Sequence, residues 1–167
     1  MFSSAEEEKE EASSLSRPPF AIFYNVFIPD DQGEDGVSRS LSIVKEQMDQ
    51  VGNSYAGSFS TSVTVYYNTI GMAGALNETF MTQVCSVQNN IKCVHMKHYK
   101  EAFEEVTLQK LSEYCHYHDH DDDDNNNGVH RRVVYMHNKG SYEHHAGLND
   151  VWRRHLTTAV TSELCLK

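Results

Sequence analysis

The 167-residue chain has no apolar stretch approaching the roughly 20 residues that a membrane-spanning helix needs. With a mean hydropathy of −0.58 it is predicted to be soluble, without a membrane segment. It has no Gly-x-Gly-x-x-Gly after its first strand-like segment, no P-loop, no Gly-x-Ser-x-Gly and no His-Glu-x-x-His. Dinucleotide oxidoreductases, P-loop NTPases, serine hydrolases and zincins therefore lose support. It also lacks a Cys-x-x-Cys pair; Cys85, Cys93, Cys115 and Cys165 fall inside apolar segments, which predicts buried free thiols in a reducing compartment. Residues 1–19 carry neither a basic n-region nor an apolar h-region, so no secretory signal is read there. The default location is cytoplasmic, and a Golgi or secretory one would require a further N-terminal segment. Asn77-Glu78-Thr79 spells a glycosylation acceptor, but Asn77 reads more simply as a helix N-cap.

Positive charge is scarce too, and the formal net charge of −10 disfavours a nucleic-acid partner. Its distribution changes that picture. Glu6, Glu7, Glu8, Glu10 and Glu11 with Lys9 account for −4, Asp119 and Asp121, Asp122, Asp123 and Asp124 for −5, and the remainder carries only −1. Runs of like charge repel and cannot be buried, so both acidic runs are predicted to be disordered: a tail over 1–19 and an insert at about 118–128. What is left, 20–167, suits a single domain, and the 39 % hydrophobic and 10 % aromatic content of the whole chain suffices for a core.

Residues 20–28 (FAIFYNVFI) are almost continuously β-branched or aromatic, as in a strand covered on both faces. Val37, Leu41, Val44, Met48 and Val51 recur at helical spacing, ended by Gly52. A second strand is read at 62–67, followed by a helical stripe of Leu76, Phe80, Val84 and Val87. A third short strand is read at 93–96, then a helix over 101–116 with Phe103, Val106, Leu111 and Cys115 inward. A fourth strand at 132–136 precedes a helix capped by Asn149 or Asp150, with Trp152, Leu156, Ala159, Val160 and Leu164 in the core. Four strands alternating with helices predict an α/β, Rossmann-like domain: a mostly parallel sheet covered on both faces, with ligands at the carboxyl ends of the strands.

The loop after the fourth strand is His137-Asn138-Lys139-Gly140-Ser141. His137 could bond a hydroxyl or act as a general base, Lys139 could offer a point charge to a phosphate, and Gly140 could let the backbone approach a ligand. Asn138 and Ser141 add an amide and a hydroxyl; a plain polar turn would use the same residues. From His130 to His155 the chain is locally +3, and Arg153 or Arg154 could read an anion in bidentate fashion or form ordinary surface ion pairs. His116, His118 and His120 beside the acidic run are read as an adventitious metal binder, so no metal site is assigned. Gly71 and Gly74 after the second strand fit a phosphate turn or a plain one.

The segment Val133-Val-Tyr-Met-His-Asn-Lys-Gly-Ser141, followed by Asn149-x-x-Trp152-Arg-Arg-His-Leu-Thr157, resembles an uncharacterised family of glycosyltransferase-like proteins common in algae. It is more distantly similar to rhamnan-synthesis-type polysaccharide glycosyltransferases. Tyr24-Asn-Val-Phe-Ile-Pro29 and Tyr66-Tyr-Asn-Thr-Ile-Gly71 fit the same pattern. The resemblance covers residues 20–167. It implies a nucleotide-sugar-transferase-like fold and sugar transfer from a nucleotide-sugar donor to a glycan or glycoconjugate. In that reading His137 and Lys139 are catalytic, and Asn138, Gly140, Ser141, Arg153 and Arg154 bind substrate. A divalent cation accompanying the donor is the cofactor it leaves open, although no Asp-x-Asp pair follows a strand outside the acidic insert. It also implies a chain shortened relative to family members, which continue into a half that binds acceptor. The alternative is a non-catalytic α/β binding domain, or an inactive fragment of such an enzyme.

Overall fold

The computed structural model describes residues 20–30, 33–54, 62–72, 78–86, 91–119, 132–138 and 146–162. Strands β1 (Phe20–Ile28), β2 (Val63–Gly71), β3 (Ile91–Tyr99) and β4 (Arg132–His137) alternate with helices α1 (Gly33–Asn53), α2 (Glu78–Ser86), α3 (Glu105–Asp119) and α4 (Ala146–Thr161). The strands form one parallel sheet in the order β3-β2-β1-β4. The Rossmann-like α/β arrangement read from the sequence is therefore the one adopted.

Alternation along each strand separates two faces. One carries Phe20, Ile22, Tyr24, Val26 and Ile28 with Val63, Val65, Tyr67, Ile91 and Met136, and packs on Val44, Met48 and Val51 of α1 and Met81, Val84 and Cys85 of α2. Each of these apolar side chains, when fully buried, contributes about 1.5–3 kcal/mol. Helix α4 lies on the same side, against α1. The opposite face meets α3, where Tyr114 packs edge-on to Phe23 and close to Tyr66, with ring centroids 5.3 and 5.7 Å apart.

Helix α1 begins at Gly33, before the first residue of its apolar stripe, because Glu34 and Asp35 occupy the first turn, where the helix dipole favours negative charge. Gly71 ends β2 at φ +97°, and a Cβ there would lie 2.0 Å from the Ile28 carbonyl oxygen. The turn after β2 thus passes directly against the end of β1, and Met72 N–H donates to Ile28 O at 3.0 Å. This close approach accounts for the glycine without any phosphate.

Three sequence expectations are corrected. Cys85 and Cys93 are not free thiols: they form a disulfide with Cα atoms 6.2 Å apart, because the last turn of α2 packs on β3 on the face to which Cys93 points. Cys115 is free, and Cys165 lies outside the described residues. In the third helix, Phe103 precedes the helical residues and is 83 % exposed; the line directed at the sheet runs through Thr107 and Tyr114. In α4, Trp152 and Leu156 are 60 % and 59 % exposed, and Arg153, Thr157 and Thr161 are the buried residues. That helix points polar side chains inward because α1 presents Glu46 and Gln47 to it. Residues 1–19 and 120–128 lie outside the described residues, whereas positions 118 and 119, read as part of the insert, belong to α3.

Candidate functional site

Strand order β3-β2-β1-β4 means that the chain moves outward in one direction from β1 and then returns to its other side. The topological switch therefore falls between β1 and β4, and the crevice above their carboxyl ends is where such sheets hold ligands. His137 is the last residue of β4 and pairs in register with Asn25. Asn25 in turn pairs with Asn68, and Asn68 with Lys97, so one polar row crosses all four strands near their carboxyl ends.

On the α3 side, Thr107 in the first turns of α3 is the hub of this row. Its hydroxyl donates to Asn25 Oδ1 at 2.7 Å and accepts from Asn68 Nδ2 at 3.0 Å. A threonine hydroxyl has one proton. With that proton engaged by Asn25, Asn68 must turn its amino group to Thr107, which leaves Asn68 Oδ1 buried without a partner. The His137 ring lies on this same face, 5.8 Å from the Tyr135 ring. Burial, followed by the Glu104 carboxylate, pushes the Tyr135 phenol well above its ordinary range, so it is protonated at any physiological pH.

Asn138 follows at the rim and is 1 % exposed. Its Oδ1 accepts from Phe27 N–H and its Nδ2 donates to Phe27 O, both at 2.7 Å, and its own N–H donates to Asn25 O at 3.3 Å. The Asn138 amide is thus engaged by the backbone of β1. Beneath it, on the α1 side, buried Gln47 accepts from Tyr24 Oη at 2.7 Å and donates to His137 O and Thr157 Oγ1 at 3.1 and 3.2 Å. One side chain thereby joins β1, β4, α1 and α4 below the crevice.

Arg153 and Arg154 lie on the α1 side of the sheet, away from the face that carries the His137 ring. Arg153 donates to Asp150 at 2.7 Å and to Glu46 at 2.8 Å, and its side chain is only 5 % exposed. Arg154 also binds Glu46 but is largely exposed. Arg39 reaches Asp150 at 3.5 Å, completing a seam of three arginines and two carboxylates between α1 and α4. The Arg154 hydrogen bond above all, and then the two arginine charges, hold the Glu46 carboxyl below the usual carboxylate range. The structure therefore brings His137 and Asn138 together at the switch point and joins Arg153 and Arg154 to Glu46. Lys139, Gly140 and Ser141 lie outside the described residues.

Sequence reasoning did not single out Gln47, Thr107, Asn25 or Asn68. The signal for the last two is visible afterwards: each is an asparagine following a tyrosine inside an otherwise apolar or β-branched run. Among the described residues, no three His, Cys, Asp or Glu side chains gather as metal ligands. None of the helices described is long and apolar enough to cross a membrane.

Compared with known proteins, the chain matches one family model, described as a domain of unknown function (DUF8361), over residues 23–167. No curated protein and no solved structure matches it.

Proposed function

The chain belongs to the DUF8361 family, and on that premise we propose that it is a glycosyltransferase-like domain that holds a nucleotide sugar in the crevice above β1 and β4 and serves transfer to a glycan or glycoconjugate. The observation that carries this reading is topological. The order in which the parallel strands are laid down reverses between β1 and β4, and β4 ends at that point with His137. His137 acts as base toward the acceptor hydroxyl, and Lys139 balances the charge of the departing diphosphate. Arg153 could assist only by loosening its bonds to Glu46 and Asp150, so its first task is to hold α4 in place. A divalent cation would arrive with the diphosphate. The Cys85–Cys93 disulfide supports an oxidising compartment such as the secretory lumen.

A second reading, a binding domain without catalysis, is favoured by a specific finding: Asn138, Arg153 and Arg154 all have protein partners already. Thermal shifts with UDP-, GDP- and dTDP-sugars, with and without Mn²⁺, test both. Binding at a hundredfold excess over Kd should stabilise the fold by about 2.7 kcal/mol. Lys139→Ala should weaken the shift, and His137→Ala should keep the shift while abolishing transfer. A shift without turnover selects the binding domain, and no shift with any donor overturns both.

A further inference from the structure

A second polar cluster lies on the other face of the sheet, two strands from β4, and the switch-point crevice does not use it. Thr69 on β2 is 5 % exposed, and its hydroxyl lies 3.3 Å from His95 Nε2 and 3.0 Å from His98 Nδ1, both on β3. Two residues three apart on a regular strand point to opposite faces. Here the register of β3 against β2 slips by one between the partners of Tyr67 and Asn68: Tyr67 pairs with His95, Asn68 with Lys97 and Thr69 with His98. Met96 is the extra residue of a β-bulge, and the bulge turns both imidazoles to one side.

The arrangement is held from several directions. The His95 ring stacks on Tyr67 with centroids 4.9 Å apart and planes at 25°. β3 is tied to α2 by the disulfide at Cys93, two residues before His95. His95 is exposed and His98 half-buried, so the cluster is open to solvent. The Thr69 hydroxyl has one proton and can donate to only one of the two nitrogens, so the other must be the donor. Two ring nitrogens converging on one small oxygen make a pair of soft-to-borderline donors aimed at a common point.

We propose that His95 Nε2 and His98 Nδ1 form a binding site for a divalent transition-metal ion that favours imidazole, of the copper or zinc type. The ion takes the position toward which both nitrogens point, Thr69 Oγ1 is displaced or remains as a weak ligand, and water fills the other positions. Hard ions such as Mg²⁺ and Ca²⁺, which require oxygen donors, are excluded by the ligand chemistry. The site is independent of the nucleotide-sugar reading, because it shares no residue with the crevice.

The probe is Cu²⁺, added to the full chain carrying His116→Asn, His118→Asn and His120→Asn so that the histidines of the acidic region do not compete. At substoichiometric Cu²⁺, paramagnetic broadening should erase the NMR signals of His95, His98 and Thr69 before those of any other residues. His95→Ala or His98→Ala should each lower affinity at least about tenfold, as loss of a metal's supporting partners does. Thr69→Val should retain the site. Unchanged affinity in the His95→Ala/His98→Ala double variant would overturn the proposal. So would first broadening at other histidines in the chain that carries only those three Asn substitutions, a readout that does not depend on either Ala variant folding.

Discussion

The two faces of the sheet are built on different physics. Toward α1 and α2, the sheet presents aliphatic and aromatic side chains whose cohesion depends on volume and has little directionality. Toward α3, it presents Asn25 and Asn68 beside Phe23 and Tyr66, and there the Thr107 hydroxyl adds directional bonds to the packing of Tyr114. A core of the first kind tolerates exchanges of similar size. A seam of the second kind tolerates changes of size but not the loss of a donor. The polar seam lies next to His137, so the part of the fold with the stricter geometry is also the part that borders the candidate site.

This contrast can be broken at its apolar end first. Ile22 of β1 is fully buried in the core shared with α1 and α2, and Ile22→Ala should destabilise the fold by about 3 kcal/mol in denaturant titration, with the slope unchanged. A smaller loss is expected on the other face. Thr107→Val keeps the volume but leaves Asn25 Oδ1 and Asn68 Nδ2 without their partner, costing about 2 kcal/mol, whereas Thr107→Ser should restore most of it. Equal losses for Val and Ser would show that α3 is held by packing after all.

The smallest effect belongs to the outer seam between α1 and α4. Glu46 is held below the usual carboxylate range by Arg154 and Arg153, so it binds fewer protons folded than unfolded. Its contribution is complete above the ordinary carboxylate pKa and is lost as the pH falls through the lower folded value. Glu46→Gln should flatten that part of the acid limb of a stability-against-pH curve. Because the carboxylate is partly exposed and its Arg154 partner largely so, the change should stay under about 1 kcal/mol.

The order and type of all eight elements were legible because apolar residues recur with periods of two or 3.6 wherever an element meets the core on the α1 side. The inward faces of α3 and α4 were not. Their partners are Asn25, Asn68, Glu46 and Gln47, so the residues that point inward are Thr107, Arg153 and Thr157, while Trp152 and Leu156 face outward. A rule that sends apolar residues inward has no access to this, since it cannot know that the opposing surface is polar. The Cys85–Cys93 bond depends on the packing of α2 on β3, and the convergence of His95 and His98 on a bulge, neither of which spacing alone reveals. At the candidate site, the placement of His137 at a strand's end was legible, whereas the pairing of Arg153 and Arg154 with Glu46 on another helix was not.

Asn138 closes the rim of the crevice with a side chain. Its amide supplies a donor and an acceptor to Phe27 as a neighbouring peptide group would, so a side chain makes the last rung between β1 and β4. Lateral contact between the strands thereby extends one residue past the last main-chain pair of β4. Loops of quite different length or composition could follow this rung without prying the strands apart. How far β1 and β4 stay joined is then a property of one amide, separable from the loop that would read the ligand.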